Sequence, residues 1–247
     1  MDQENRGFKT IEQEYMSSQA IPVAKVFLAN VFIWMTVALA ITAVTAYWFA
    51  STPALIGSLY NPQSHGLSGL GWVVTFAPIG FVLLMSMGFQ RLSAFVMMLL
   101  FVAFSVLMGM SLSFILLVYT GASVFKTFAV TSAMFGVMAV MGYTTKTDLT
   151  RFGSILIMAV VGIIIAMIVN SFMRSSGLDY LISVIGVLVF TGLTAYDVQK
   201  LKRIGTGIGA GLQHADTRKL SILGALTLYL DFINLFLFLI RFLGNRK

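Results

Sequence analysis

Two acidic side chains stand where acids are costly. Of the nine Asp and Glu residues in this chain, seven lie near the amino terminus or in polar connections, but Asp231 falls in the middle of the last apolar run. Asp197 lies close to the inner end of the run before it. A carboxyl at mid-bilayer costs about 3 kcal/mol on insertion scales, so it marks either a functional site or a helix-packing hydrogen bond made by a protonated acid. Gly224, Thr227, Asp231 and Asn234 recur at spacings of three and four, which gives an otherwise Leu/Phe-rich helix one small or polar stripe. Ser183, Gly186, Thr194 and Asp197 fall on a similar face of the preceding run, interrupted by Phe190. The two stripes are expected to face each other, with Thr194, Thr227 and Asn234 as polar support for the acids. Two carboxyls meeting in a low-dielectric interior cannot both ionise cheaply, so they would share one proton over a range of pH. Such a pair is a proton-operated latch. When both acids are charged they attract a divalent cation, and Ca²⁺ suits them because it takes carboxylate and carbonyl oxygens in irregular geometry. An intramembrane aspartyl protease or a proton-coupled transporter could use the same pair.

Other chemistries find little to work with. The chain has no Cys, which excludes disulfides, thiolate nucleophiles and zinc-thiolate sites. His65 and His214 are the only histidines and both fall in connections, so no buried Ser-His dyad or metal-His cluster is expected. Gly205, Gly207, Gly209 and Gly211 alternate without a preceding strand or a following Lys-Ser/Thr, and read as a flexible linker instead of a nucleotide loop. The last run carries no interior Lys for a Schiff base, and its acid sits in TLYLDF, not in the GxGD context of intramembrane aspartyl proteases. The expectation is a protein that is not an enzyme and has no resident cofactor.

The elements that must position the acids follow from composition. Hydrophobic residues make up 58% of the 247 and charged ones only 10%, too few to cover a water-facing surface. Apolar runs near Val26–Phe49, Trp72–Phe89, Leu92–Thr120, Phe125–Tyr143, Phe152–Met173, Leu181–Val198 and Leu220–Ile240 are each long enough to cross the hydrocarbon core as helices. Lipid leaves backbone groups no partner but the helix itself, and these runs lack the alternation of barrel strands. The expected fold is therefore an all-α integral membrane protein with seven transmembrane helices, divided into a polar cytoplasmic tail over residues 1–22 and a transmembrane domain over 23–247. Pro78 is expected to kink the second span. Ser105, Gly109 and Ser113, Gly136 and Gly142, and Gly186 and Gly192 are spaced to let helices approach closely. An N-inside placement puts eleven of the sixteen Lys and Arg residues on the cytoplasmic side and none in the outer stretch Ala50–Gly71, as the positive-inside rule requires. Arg241, Arg246 and Lys247 then emerge outside, after seven full crossings. The net charge of +7 fits orientation signals and contact with anionic lipid, not nucleic acid.

The runs IGVLVFTGLTAYDVQKLK from Ile185, ALTLYLDFINLFLFLIRFLG from Ala225 and MGYTTKTDLTRFGS from Met141 closely resemble the Bax inhibitor-1 family, in particular its bacterial branch. The resemblance implies two three-helix groups around a central seventh helix, which agrees with the polar stripe on that helix. It also implies a pH-sensitive calcium leak channel of the bacterial cytoplasmic (inner) membrane, in which Asp197 and Asp231 form the gate and the cation site. In the family an Arg near the end of the second span pairs with the sixth-span acid, and the nearest base here, in MSMGFQRLSA, is Arg91. The alternative implied by the family is a non-transporting regulator of a membrane-bound protease or another membrane partner.

Overall fold

The computed structural model describes the backbone of residues 2–61, 66–208 and 214–247, and the side chains of 23–60, 66–207 and 217–247. Ten short and long elements follow in order: α1 (Asp2–Ser51), α2 (Pro53–Leu59), β1 (Tyr60–Asn61), β2 (Gly66–Leu67), α3 (Gly69–Met87), α4 (Ala94–Val118), α5 (Gly121–Thr144), α6 (Thr150–Met173), α7 (Ser176–Ile208) and α8 (His214–Leu243). Seven of these helices, α1 and α3 to α8, are long and apolar enough to cross a membrane. The fold is thus all-α and membrane-spanning, with the number of spans the hydropathy implies. The side chains of the tail expected over 1–22, and those of His65 and His214, lie outside the described residues.

Local chemistry sets the helix starts. Ser68, Ser93 and Thr120 cap α3, α4 and α5 by accepting hydrogen bonds from the backbone N–H groups of Gly71, Val96 and Ser123. α3 runs without a break through Pro78. The outer stretch holds more structure than its turn-rich sequence suggests, because α2 and the antiparallel pair β1–β2 fold it over buried Leu59.

The helices form two groups about α8. In one, α4 packs against α1 and α3; in the other, α7 packs against α5 and α6. α8 touches α1, α3, α4, α5 and α7, and α1 also touches α7. The largest buried cluster sits where α1, α4 and α8 meet, around Phe101, Phe104 and Tyr229. There the Tyr229 hydroxyl bonds Thr42 Oγ1 at 2.8 Å, and Thr42 donates to the Ser105 carbonyl at 2.9 Å. α6, by contrast, shows lipid a surface of Ile, Val and Met.

Two expectations need correction. The sixth span does not end near Val198, because α7 continues to Ile208, so Asp197 lies eleven residues inside its helix. Hydropathy stops at Val198 because Gln199, Lys200, Lys202 and Arg203 are polar, but their backbone remains helical. Gly205 and Gly207 accordingly belong to α7 and not to a linker, and a Cβ on Gly205 would stand 3.0 Å from Cα of Ala24 in α1. Gly209 and Gly211 lie outside the described residues.

α8 is long and apolar enough to cross completely. Beyond its end the chain runs antiparallel to the α4–α5 connection: Thr120 N–H donates to Asn245 O at 3.1 Å and Lys247 N–H to Val118 O at 2.9 Å. Arg241 pairs with Asp179 at 3.7 Å, near the start of α7. That end of the bundle is opposite the one bearing Arg91, Lys146, Arg151, Lys202, Arg203 and Lys219, called the basic end below.

Candidate functional site

α7 and α8 pack antiparallel along the stripes that carry the acids. Gly224 of α8 lies against Leu201 of α7, Asp231 meets Asp197, and Phe238 stacks on Phe190 while also covering Gly186. One continuous register therefore places the two carboxyls opposite each other. Phe190 interrupts the polar stripe in sequence, yet it contributes an aromatic contact on the same interface, with ring centroids 5.8 Å apart. α5 holds α7 from behind through Gly142, where any Cβ would run into the backbone carbonyl of Ala195. A glycine is required there for the two backbones to approach.

The carboxyls of Asp197 and Asp231 are within hydrogen-bonding reach of each other. Their residues are 8% and 5% exposed. Oδ2 of Asp231 is wholly buried and finds no donor among the described residues. An ionised carboxylate only accepts hydrogen bonds. The contact is therefore satisfied only if one of the two acids carries a proton. The ammonium of Lys200, three residues beyond Asp197, is the cation that acts on Asp197 electrostatically.

The expected supporting residues take other partners. Thr194 donates to Phe190 O at 2.8 Å, Thr227 to Leu223 O at 3.1 Å, and Asn234 Nδ2 to Leu230 O at 2.8 Å. Each spends a donor on the preceding turn of its own helix, and none is hydrogen-bonded to a carboxyl. Their side-chain oxygens are left as acceptors, which suits a cation better than an anion. Arg91 lies exposed in the α3–α4 turn, and its guanidinium makes no hydrogen bond or ion pair among the described residues. Among the described residues no group of three or more His, Cys, Asp or Glu comes together, so two carboxyls are the acidic ligands on offer.

A cleft of about 350 Å³ opens between α3 and α8, lined by Ser86, Phe89, Leu223 and Thr227 among others. It reaches Thr227, one turn from Asp231. Lys219 braces Phe89 in its wall, donating to Phe89 O at 3.2 Å with its ammonium 5.0 Å from the Phe89 ring centroid.

A second polar cluster lies beyond the reach of the sequence argument. Gln199, buried at the basic end of α7, donates from Nε2 to Thr147 O at 2.8 Å and accepts at Oε1 from Leu149 N–H at 2.9 Å. Arg203 bonds the same Oε1 at 2.7 Å and pairs with Asp148 at 2.9 Å. Lys202 donates to Tyr143 O at 2.7 Å. These bonds fasten the α5–α6 connection to α7. The Asp148 carboxyl is held below its usual 3.8, first by hydrogen bonds from the Thr150 hydroxyl and backbone N–H and then by Arg203. The only sequence sign of this clamp is that VQKLKR keeps helical spacing after the apolar run has ended.

Residues 24–247 match the family model described as inhibitor of apoptosis-promoting Bax1. The chain is 48% identical to inner membrane protein YbhL of Escherichia coli strain K12, over 90% of this chain and 92% of that one. It is 39% identical to a protein of Deinococcus radiodurans over 97% and 99% of the two chains. With a protein of Caulobacter vibrioides it shares 38% over the whole of both.

Proposed function

The chain belongs to the Bax inhibitor-1 family, and from that premise we propose that it is a pH-sensitive calcium leak of the bacterial inner membrane, gated by Asp197 and Asp231. The observation that carries this reading is the carboxyl-to-carboxyl contact in a buried interior where Asp231 Oδ2 has no donor among the described residues. A shared proton closes the contact and leaves the pair with a single negative charge. Loss of that proton puts two negative charges side by side, and repulsion drives them apart. Two separated carboxylates are a hard oxygen site, and water or helix carbonyls complete the six to eight ligands that Ca²⁺ takes. The acceptor oxygens of Thr194, Thr227 and Asn234 add to the preference for a cation.

The gate needs no cofactor and makes or breaks no covalent bond other than to the proton. With the basic end in the cytoplasm, as the positive-inside rule favours, the cleft between α3 and α8 is the inner approach to the pair. The test is Ca²⁺ uptake into proteoliposomes across a range of pH. Wild-type flux is expected to change with pH, and Asp231→Asn to abolish that change. Identical profiles for wild type and variant would remove the pair from the gate.

A further inference from the structure

The clamp at the basic end encloses a cleft of about 340 Å³, lined by Thr145, Lys146, Asp148, Lys202, Arg203 and Thr206 together with Gln199. Each lining side chain is polar or charged, and three cations face one acid. One oxygen of that acid is already committed, because Oδ1 of Asp148 accepts from Thr150 and from Arg203. The donors are not used up. Lys202 has given one of its three N–H groups to Tyr143 O. Arg203 has given three of its five, to Thr150, Asp148 and Gln199. Lys146 has given none of its three to any described residue. The Thr145 hydroxyl oxygen accepts from Thr147 N–H, and its own proton is given to no described residue. The cleft is thus a concave surface with a surplus of positive charge and of N–H and O–H donors.

Gln199 makes this surplus a fixed feature. Its amide is buried and bonded at both ends, so it holds the α5–α6 connection against α7 and sets the spacing between Lys146 on one wall and Lys202 and Arg203 on the other. Arg203 is further fixed by three partners. The donors of Lys202 and Arg203 are therefore arranged before any ligand arrives, which reduces the ordering cost of binding, and Lys146 adds a mobile charge on the opposite wall. The ligand that matches is an anion with several acceptor oxygens on one centre, since planar guanidinium and flexible ammonium groups together suit a phosphoryl group. The place in the fold agrees: the cleft lies where α5 and α7 leave the apolar zone, and basic pockets between helices at such a border hold acidic headgroups.

We propose that this cleft is a phosphoryl-anion site, formed jointly by the α5–α6 connection and the basic end of α7, for the headgroup of an acidic phospholipid or a soluble phosphate. It is separate from the acids of the gate, and its test reads binding and not flux.

The full-length protein in detergent, stripped of lipid, is titrated with phosphatidylglycerol, with phosphatidylcholine, and with inorganic phosphate against chloride at matched ionic strength. Bound lipid is counted by native mass spectrometry and thermal midpoint is followed in parallel. Wild type is expected to retain phosphatidylglycerol over phosphatidylcholine. Lys146→Ala is expected to lower that retention about fivefold and Lys146→Glu to abolish the preference, since one basic group near an acidic headgroup is worth about that factor. Lys146 has no hydrogen-bond or ion-pair partner among the described residues, so both variants should melt with wild type when no lipid or phosphate is added. Arg246→Ala, at the opposite end, should bind as wild type does. A midpoint raised by inorganic phosphate and not in Lys146→Glu assigns the site to soluble phosphate; a rise with phosphatidylglycerol alone assigns it to lipid. Equal responses of wild type and Lys146→Glu to both phosphatidylglycerol and inorganic phosphate, or no response to either anion, overturn the proposal.

Discussion

Two polar contacts leave α7 six residues apart, at Asp197 and at Arg203, and they are built in opposite ways. At Arg203 the ion pair is open to solvent, with the Arg and Asp148 side chains 48% and 69% exposed, and its acid is surrounded by donors. At Asp197 the partner is another acid, both are buried, and one oxygen of Asp231 has no donor among the described residues. An arrangement like the first is assembled at low cost and contributes little to stability. The second imposes a cost on the fold that well-packed apolar residues would not. Polar groups kept where they destabilise are those that a membrane protein uses, because lipid offers them no other return.

The difference can be probed by substitution. The largest effect is expected from Gly142→Leu, which forces α5 away from the Ala195 backbone and so disturbs the helix that makes both contacts. Overpacking of this kind costs about 3 kcal/mol or more, read as a fall in thermal midpoint in detergent. A midpoint within experimental error of wild type would mean that α5 does not set the position of α7. Next comes the double change Asp197→Leu with Asp231→Leu. Replacing a buried charged pair by apolar side chains of similar size is expected to stabilise by about 2 kcal/mol while eliminating calcium flux. Loss of stability instead would make the pair structural.

The smallest effect belongs to the clamp. The folded-state pKa of Asp148 is lowered, so the stability it contributes is complete above 3.8 and is lost as pH falls through the lower folded value. Between about pH 5 and about pH 8 its charge does not change. Asp148→Asn is therefore expected to leave the pH profile of calcium flux unshifted in that window, in contrast to Asp231→Asn. A shifted profile would move part of the pH sensing to the basic end of α7.

How much was legible in the sequence follows the same division. The seven spans are written in composition, because lipid demands about twenty apolar residues per crossing and leaves the backbone no partner but its own helix. The facing of the Asp197 and Asp231 stripes was also legible, since spacings of three and four name the faces that two helices turn to each other, but their common depth was not, because hydropathy placed Asp197 at the very end of its span. Hydropathy misplaced the end of α7 because it measures lipid and not helix: Lys200, Lys202 and Arg203 are poor lipid residues and good helix formers. The clamp was illegible for another reason. Gln199 bonds a carbonyl and an N–H of the backbone, groups that every residue has, so no residue type at Thr147 or Leu149 announces the contact. The same holds for Thr194, Thr227 and Asn234, whose choice between their own helix and the carboxyls is a matter of rotamer and not of spacing.

The central claim is that one proton is shared between two buried acids and that its loss opens the path for calcium. Infrared difference spectroscopy of the reconstituted protein, titrated from about pH 5 to about pH 9, reads the carbonyl stretch of a protonated, buried carboxylic acid directly. The account predicts one such band in wild type that disappears over the pH interval in which calcium flux rises, and that is missing from Asp231→Asn. A band that persists while flux rises, or one that Asp231→Asn retains, would contradict it.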